Sequence, residues 1–267
     1  MRKPTRDYMK IVNAYLNMNM PFQVSIIGFV QYYDTIYPIL KLENCIKGRK
    51  FDITMQTGVH GDEAIGVRVV MNFLKDFKTK WLNYYNFTIF PCVNPYGYSF
   101  NVRKNGNKQI ISRFEFWNNK NIDVPELQIL GKHYPERPDI FIDVHGDTGK
   151  SKWYMYERRP INKESIAKLS LKENKKIAPF IQNATIYREI CEDGVIVNPE
   201  HDKSIDDGME FLGVPYVMVL EIPIKMDARL QIEGGVKILN SILKNHLKIM
   251  LESKFNLFKK KEEKVNG

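Results

Sequence analysis

The run Phe51-Asp-Ile-Thr-Met-Gln-Thr-Gly58-Val-His60-Gly61-Asp-Glu63 leaves few choices to the chain around it. Seven strand-compatible residues lead into a glycine turn, and an amphipathic pattern starts at once behind it. Ile65, Val69, Val70, Phe73, Leu74 and Phe77 share one face at helical spacing, which predicts a helix over about 63–78. Pro138-Asp-Ile-Phe-Ile-Asp143-Val-His145-Gly146-Asp147 has a similar form, an apolar strand running into His-Gly-Asp. Tyr216-Val-Met-Val-Leu-Glu221-Ile-Pro is a third apolar strand, and it ends in a carboxylate. Strands apolar on both faces and alternating with amphipathic helices predict an α/β fold, a mixed twisted β-sheet sandwiched between helices.

Other elements fill in this plan. Residues 5–19 have a loose helical pattern, and 23–30 and 35–42 read as an antiparallel hairpin. Asn86-Phe-Thr-Ile-Phe-Pro-Cys92-Val is a further apolar strand closed by Asn94-Pro95-Tyr-Gly97, with Cys92 a small core residue. The irregular polar and aromatic stretch 99–125 suits a loop that carries function. Residues 162–182 read as broadly helical, 235–252 as an amphipathic helix, and 253–267 as a disordered basic tail. No repeat or Pro/Ser linker divides the 267 residues, so a single catalytic domain over 1–267 is expected, opening with a helix within 1–20.

The net charge of +9 comes from lysine, much of it near the C-terminus, without the basic stripe or module a nucleic-acid partner requires. No apolar stretch approaches the ~20 residues of a membrane span. Three scattered cysteines (Cys45, Cys92, Cys191) and no apolar leader fit a reducing, cytoplasmic location. No nucleic-acid or membrane partner is therefore expected, and the oligomeric state is open.

In open α/β sheets ligands gather beyond the carboxyl ends of strands, where His60, His145 and Glu221 all fall. Two histidines and a carboxylate at such ends suit zinc, which accepts mixed N/O donors and needs only three from protein in a catalytic site. His60, Glu63 and His145 are accordingly the candidate ligands for one Zn²⁺ ion. Glu221, ending a strand too apolar to bury an isolated charge, is the candidate general base. Arg103 and Arg113 offer forked cationic donors for an oxyanion or a carboxylate.

With those residues assembled, the chain resembles the zinc carboxypeptidase superfamily from about residue 22 to 225. Val59-His60-Gly-Asp-Glu63 looks like its HxxE motif, Asn94-Pro95-Tyr-Gly97 like its Asn-Pro-Asp-Gly turn, and Asp143-Val-His145-Gly like the motif of its third ligand. Glu221-Ile-Pro-Ile-Lys225 resembles the strand bearing the catalytic Glu. The resemblance implies amide hydrolysis beside a free carboxylate, with Arg103 polarising the carbonyl. Arg113, with Ser112 or Asn101, would hold that carboxylate, and Asp206 would sit at the base of the side-chain pocket. The family's Asp-x-Asn-Arg reads Ile110-Ile111-Ser112-Arg113 here, so Ser112 replaces the Asn, and no Asp stands at Ile110 to orient the first histidine. The Glu63–His145 interval is shorter than in digestive members, as in the related aspartoacylase and succinylglutamate desuccinylase branch. Peptides come first as substrates and acyl-amino acids second; a catalytically idle binding module is the third alternative.

Overall fold

The structure, a computed structural model, describes residues 3–44, 48, 50–112 and 123–265. Its centre is four parallel strands in the order β4 (Tyr85–Phe90), β3 (Phe51–Thr57), β5 (Ile140–Asp147) and β10 (Tyr216–Pro223). These are the apolar runs of the sequence; one face of the layer is apolar and covered by helices, while the opposite face carries Gln56 of β3 and Asp143 and His145 of β5. The hairpin β1 (Gln23–Tyr32) and β2 (Thr35–Asn44) adds antiparallel to β4. On the other flank, β6 (Tyr154–Arg158) pairs antiparallel with β10 and is followed outward by β9 (Val195–Val197), β8 (Glu189–Glu192) and β7 (Asn183–Ile186). Among the described residues, ten strands thus form one mixed sheet.

The period of two along a strand sorts the side chains of the centre. Ile140, Ile142, Val144 and Gly146 of β5 share one face, covered by α2 (Ala64–Lys75) and the long α7 (Ala228–Val265). The packing is close enough that a Cβ on Gly146 would lie 2.6 Å from Ile65. Ile238, Leu239, Ile242 and Leu243 of α7 are fully buried. α5 (Ile166–Glu173) joins this layer, its N-cap Ser165 donating to the buried Glu157. The other face presents Asp143, His145 and Asp147 of β5 beside Val219 and Glu221 of β10 and Tyr154, Tyr156 and Arg158 of β6. α4 (Pro125–Leu130) and α6 (Ile205–Phe211) lie at the margins of that polar face, while α1 (Tyr8–Leu16) and α3 (Pro95–Phe100) cover the hairpin side.

Three expectations change. The helix over 162–182 shrinks to Ile166–Glu173, because Asn174 caps it and donates back to the Ser170 carbonyl at 2.8 Å. The final helix begins earlier, at Ala228, and runs to Val265, so a helix stands where 253–265 read as a disordered tail. The lysines that made this tail basic are also good helix formers. β5 continues past Asp143 to Asp147, so His145 sits within a strand rather than after one.

Candidate metal centre

Each side of the centre is placed by a close backbone approach. After β3 the chain turns at Gly58 (φ +70°), and Glu63 becomes the N-cap of α2 without using its side chain as a cap. Its carboxylate is therefore available to the sheet. Gly66, in the first turn of α2, touches the strands directly: a Cβ there would lie 2.3 Å from the Val144 carbonyl oxygen. A Cβ on Gly61 would lie 2.0 Å from the Gly97 carbonyl carbon, so the His60 turn rests against the Asn94-Pro95-Tyr-Gly97 turn. Buried Asn94 accepts from Gly97 N at 2.8 Å and donates to the carbonyls of Val59 and Arg103 at 3.4 and 3.2 Å. One asparagine thereby ties together the His60 turn, α3 and the segment bearing Arg103.

These contacts bring His60, Glu63 and His145 together. His60 Nδ1 lies 2.9 Å from Glu63 Oε1, and His145 Nδ1 lies 2.8 Å from Glu63 Oε2. One donor atom from each of the three falls within 4.8 Å of the others, and all three residues are buried. Although it lies close to Glu63, His60 Nδ1 has no hydrogen bond of good geometry among the described residues. A buried imidazole nitrogen without a partner, beside a carboxylate and a second imidazole, fits a cation. Two His and one Glu form a donor set that zinc uses in catalytic sites, at roughly 2.0–2.2 Å per bond. The residues fit the ion.

Electrostatics agree. Burial lowers the His60 pKa, so the ring favours its neutral, metal-binding form. Burial alone would raise Glu63, but His145 and His60 overcome it and hold the carboxyl below its ordinary range. For His145 burial works downward, and Asp143 and Glu63 outweigh it, raising the pKa well above the usual value. The Glu63 oxygen at Nδ1 lies on the side where a cation would replace the proton, and Asp143 at Nε2 lies at the opposite end of the ring.

Glu221 stands opposite His145 in the β5–β10 register and lines the same cleft of about 550 Å³. It is partly open to that cleft, yet protein surrounds its carboxyl. Burial pushes its pKa up to about 8; His145 opposes the shift, and Glu63, Asp147 and Asp143 add to it. Arg103 donates to Glu63 Oε1 at 2.8 Å and lines the cleft with half of its side chain exposed. Ser112 and Asp206 also line the cleft. Asn101 does not. It caps α3 in the left-handed region (φ +53°), and its side chain accepts from Arg6 at 2.8 Å, which turns it from the cleft. Arg113 lies outside the described residues.

The chain has the zinc-carboxypeptidase fold. It superposes on a protein described as a metallopeptidase from Shewanella baltica with a TM-score of 0.75 at 19% identity, covering 89% of this chain and 90% of the other. A second metallopeptidase, from Shewanella amazonensis, gives 0.74 at 18% identity over 88% and 91%. A metallo-carboxypeptidase from Burkholderia cenocepacia gives 0.64 at 16% identity, covering 90% of this chain and 68% of that one. No family profile matches the sequence, and no curated protein does. Similarity at this level belongs to the backbone, with the sequences far diverged.

Several site residues escaped the sequence reading. Asp143 Oδ2 faces His145 Nε2 at 3.1 Å, so a carboxylate orients the second histidine where the family resemblance had called for one on the first. Its spacing was a usable signal, since Asp-x-His on a strand puts both side chains on one face. Ile110 is exposed and takes no such part. Tyr187 sits at the β7–β8 turn, its hydroxyl 3.2 Å from Asp147 Oδ2, with Tyr154 donating to the same oxygen at 2.7 Å. Its position depends on Tyr187 and Arg188 both adopting positive φ (49° and 75°), which nothing in those residue types announces.

Proposed function

We propose that this chain is a zinc-dependent amide hydrolase, with peptides bearing a free carboxylate as its first substrate class. The observation that carries the reading is the convergence of His60, Glu63 and His145 beside Glu221 in one cleft. His60, Glu63 and His145 would hold the ion, which when bound would lower the pKa of a water and polarise a carbonyl. Glu221 would take the proton of that water and deliver it to the departing amine; its location in a protein-enclosed cleft suits a group that must hold and then release a proton. Arg103 would lend positive charge to the developing oxyanion. Ser112 would donate one hydrogen bond to the substrate carboxylate, with Arg113 beside it in sequence.

The cleft also carries a charge preference. Away from the three ligands and Arg103 it is lined by Asp147, Glu189, Glu200, Asp202, Asp206 and Glu221 against Arg158. Arg158 is already engaged by Asp207, at 3.0 Å by Glu210 and, through Nε at 3.6 Å, by Asp206 itself, so a substrate cation would share the Asp206 carboxylate with it. On a chain of net charge +9, an acidic cleft selects a cationic substrate group, and Asp206 is its candidate contact. Burial pushes the Asp206 pKa up to about 6, a cost that a substrate ammonium or guanidinium would relieve.

A mixed panel of peptides ending in basic, apolar and acidic residues, with N-acyl-amino acids alongside, tests the reading by product mass. Release of a C-terminal Lys or Arg by zinc-loaded protein, lost on chelation, is the expected result. Hydrolysis of the acyl-amino acids alone would move the chain to deacylation, and no hydrolysis of any substrate by zinc-loaded protein would overturn the proposal.

A further inference from the structure

Both ring nitrogens of His145 face carboxylates, Nδ1 toward Glu63 and Nε2 toward Asp143. The ring can present Nδ1 to the cluster only while Asp143 stays in place, and Asp143 has few supports. It is buried, and its Oδ1 has no hydrogen-bond partner among the described residues. Its other oxygen, Oδ2, accepts from Gln56 Nε2 as well as facing His145. Gln56 is fully buried and lies directly across from Asp143 in the β3–β5 register. The Gln56 oxygen in turn accepts from the buried Tyr134 hydroxyl.

This chain of contacts fixes the orientation of the amide. A carboxamide has a donor end and an acceptor end, and a carboxylate accepts only. Asp143 therefore needs the NH₂ end, and a hydroxyl donated by Tyr134 to the oxygen end stabilises the same arrangement. Tyr134 belongs to the segment just after α4, packed on Phe90 with ring centroids 4.6 Å apart. α4 also supplies the buried Glu126, which accepts from Asn105 at 3.0 Å and from Tyr32 at 2.6 Å. Asn105 lies two residues beyond Arg103, so a single segment braces both flanks of the cluster.

We propose that Gln56, locked by Tyr134, is a positioning residue of the metal centre, holding Asp143 so that His145 turns Nδ1 toward a divalent cation. The inference rests on the zinc reading of His60, Glu63 and His145. Outer partners of this kind typically change metal affinity by about 10–100-fold when removed.

Zinc titration of the metal-stripped full chain against a chromophoric chelator tests it, with His145→Ala as the ligand-loss control. Gln56→Leu is expected to weaken zinc binding by about 10–100-fold and to alter the visible spectrum of the cobalt-substituted protein. Tyr134→Phe keeps the ring and removes the hydroxyl; it should weaken binding by a smaller factor, and it carries the test if Gln56→Leu does not fold. Tight zinc binding by the wild type, with both variants folded and unchanged in affinity and cobalt spectrum, overturns the proposal and leaves the zinc reading intact. Lowered thermal stability in the metal-free state with unaltered zinc affinity overturns it likewise, since that is the mark of packing alone. A wild-type chain that binds no zinc removes the zinc reading and this inference together.

Discussion

Glu221 belongs to a strand and lines the cleft at once, which fits the general-base role proposed for it. Its neighbours Val217, Met218, Val219 and Leu220 are buried, so the backbone is held rigidly while the carboxyl reaches the cleft. Replacing it by Gln preserves volume and removes the proton acceptor. Zinc content should be unchanged by metal analysis, with turnover reduced by about 10²–10⁴-fold, the usual scale of general-base loss. Asp206→Asn belongs to the same scale. It should reduce kcat/KM for peptides ending in Lys or Arg by about 10-fold or more while leaving apolar C-termini little affected, read from competing substrates in one reaction. The sequence points to Glu221 from its strand and to Asp206 through the family resemblance, and both line the cleft. Asn101, named as an alternative to Ser112, turns instead to Arg6, since the sequence does not fix which way a helix-capping residue points.

At the scale of elements, the strand–turn–helix unit 51–75 carries two of the three candidate ligands, placed where glycine allows backbones to touch. Gly66→Ala would set a methyl against the Val144 carbonyl and the Thr57 side chain, pushing α2 off the sheet. A loss of about 1–3 kcal/mol in folding stability is expected by denaturant titration, with weaker zinc binding because Glu63 moves with α2. This unit was legible because its hydrophobic period changes from strand to helix at a glycine turn. The flank formed by β6, β9, β8 and β7 was not. Its strands are three to five residues long and partly polar, too short to show a period, although Asp193-Gly194 (φ 53° and 81°) marks one of its turns.

For the whole molecule, metal binding at the proposed centre would be linked to folding. Before the ion binds, His60, Glu63 and His145 are packed against one another in the fold, so zinc should raise the melting temperature and a chelator reverse it. At a thousandfold excess over the dissociation constant the gain is about 4 kcal/mol. A second link is to pH, through His246 of α7. It is buried against the rings of Phe51, Tyr85 and Tyr216, with Nδ1 3.0 Å from the Tyr85 hydroxyl and Nε2 lacking a partner among the described residues. Burial lowers its pKa to about 4, while the unfolded chain protonates near the ordinary 6.5. Between those values the unfolded state holds the extra proton, so stability rises with pH. The contribution is full above about pH 6.5 and falls away toward pH 4, a loss on the order of 3 kcal/mol. His246→Phe should flatten that part of the stability–pH curve relative to wild type, as measured by urea unfolding at a series of pH values.

The sequence by itself determined the α/β plan, the central strands and the helix beside them, and the histidines and carboxylates that terminate those strands. Those features are local: a hydrophobic period, a glycine turn and a charged residue at the end of an apolar run are each written within a dozen positions. Only the tertiary structure decided that Asp143 orients His145, that Gln56 and Tyr134 hold Asp143, and that Tyr187 overlooks the cleft. Those relations join residues far apart in the chain, set by the lateral order of strands and by backbone approaches too close to admit a Cβ. Hydrophobic patterning selects the layers of a fold, but direct contact between buried polar groups is settled only when the layers are assembled.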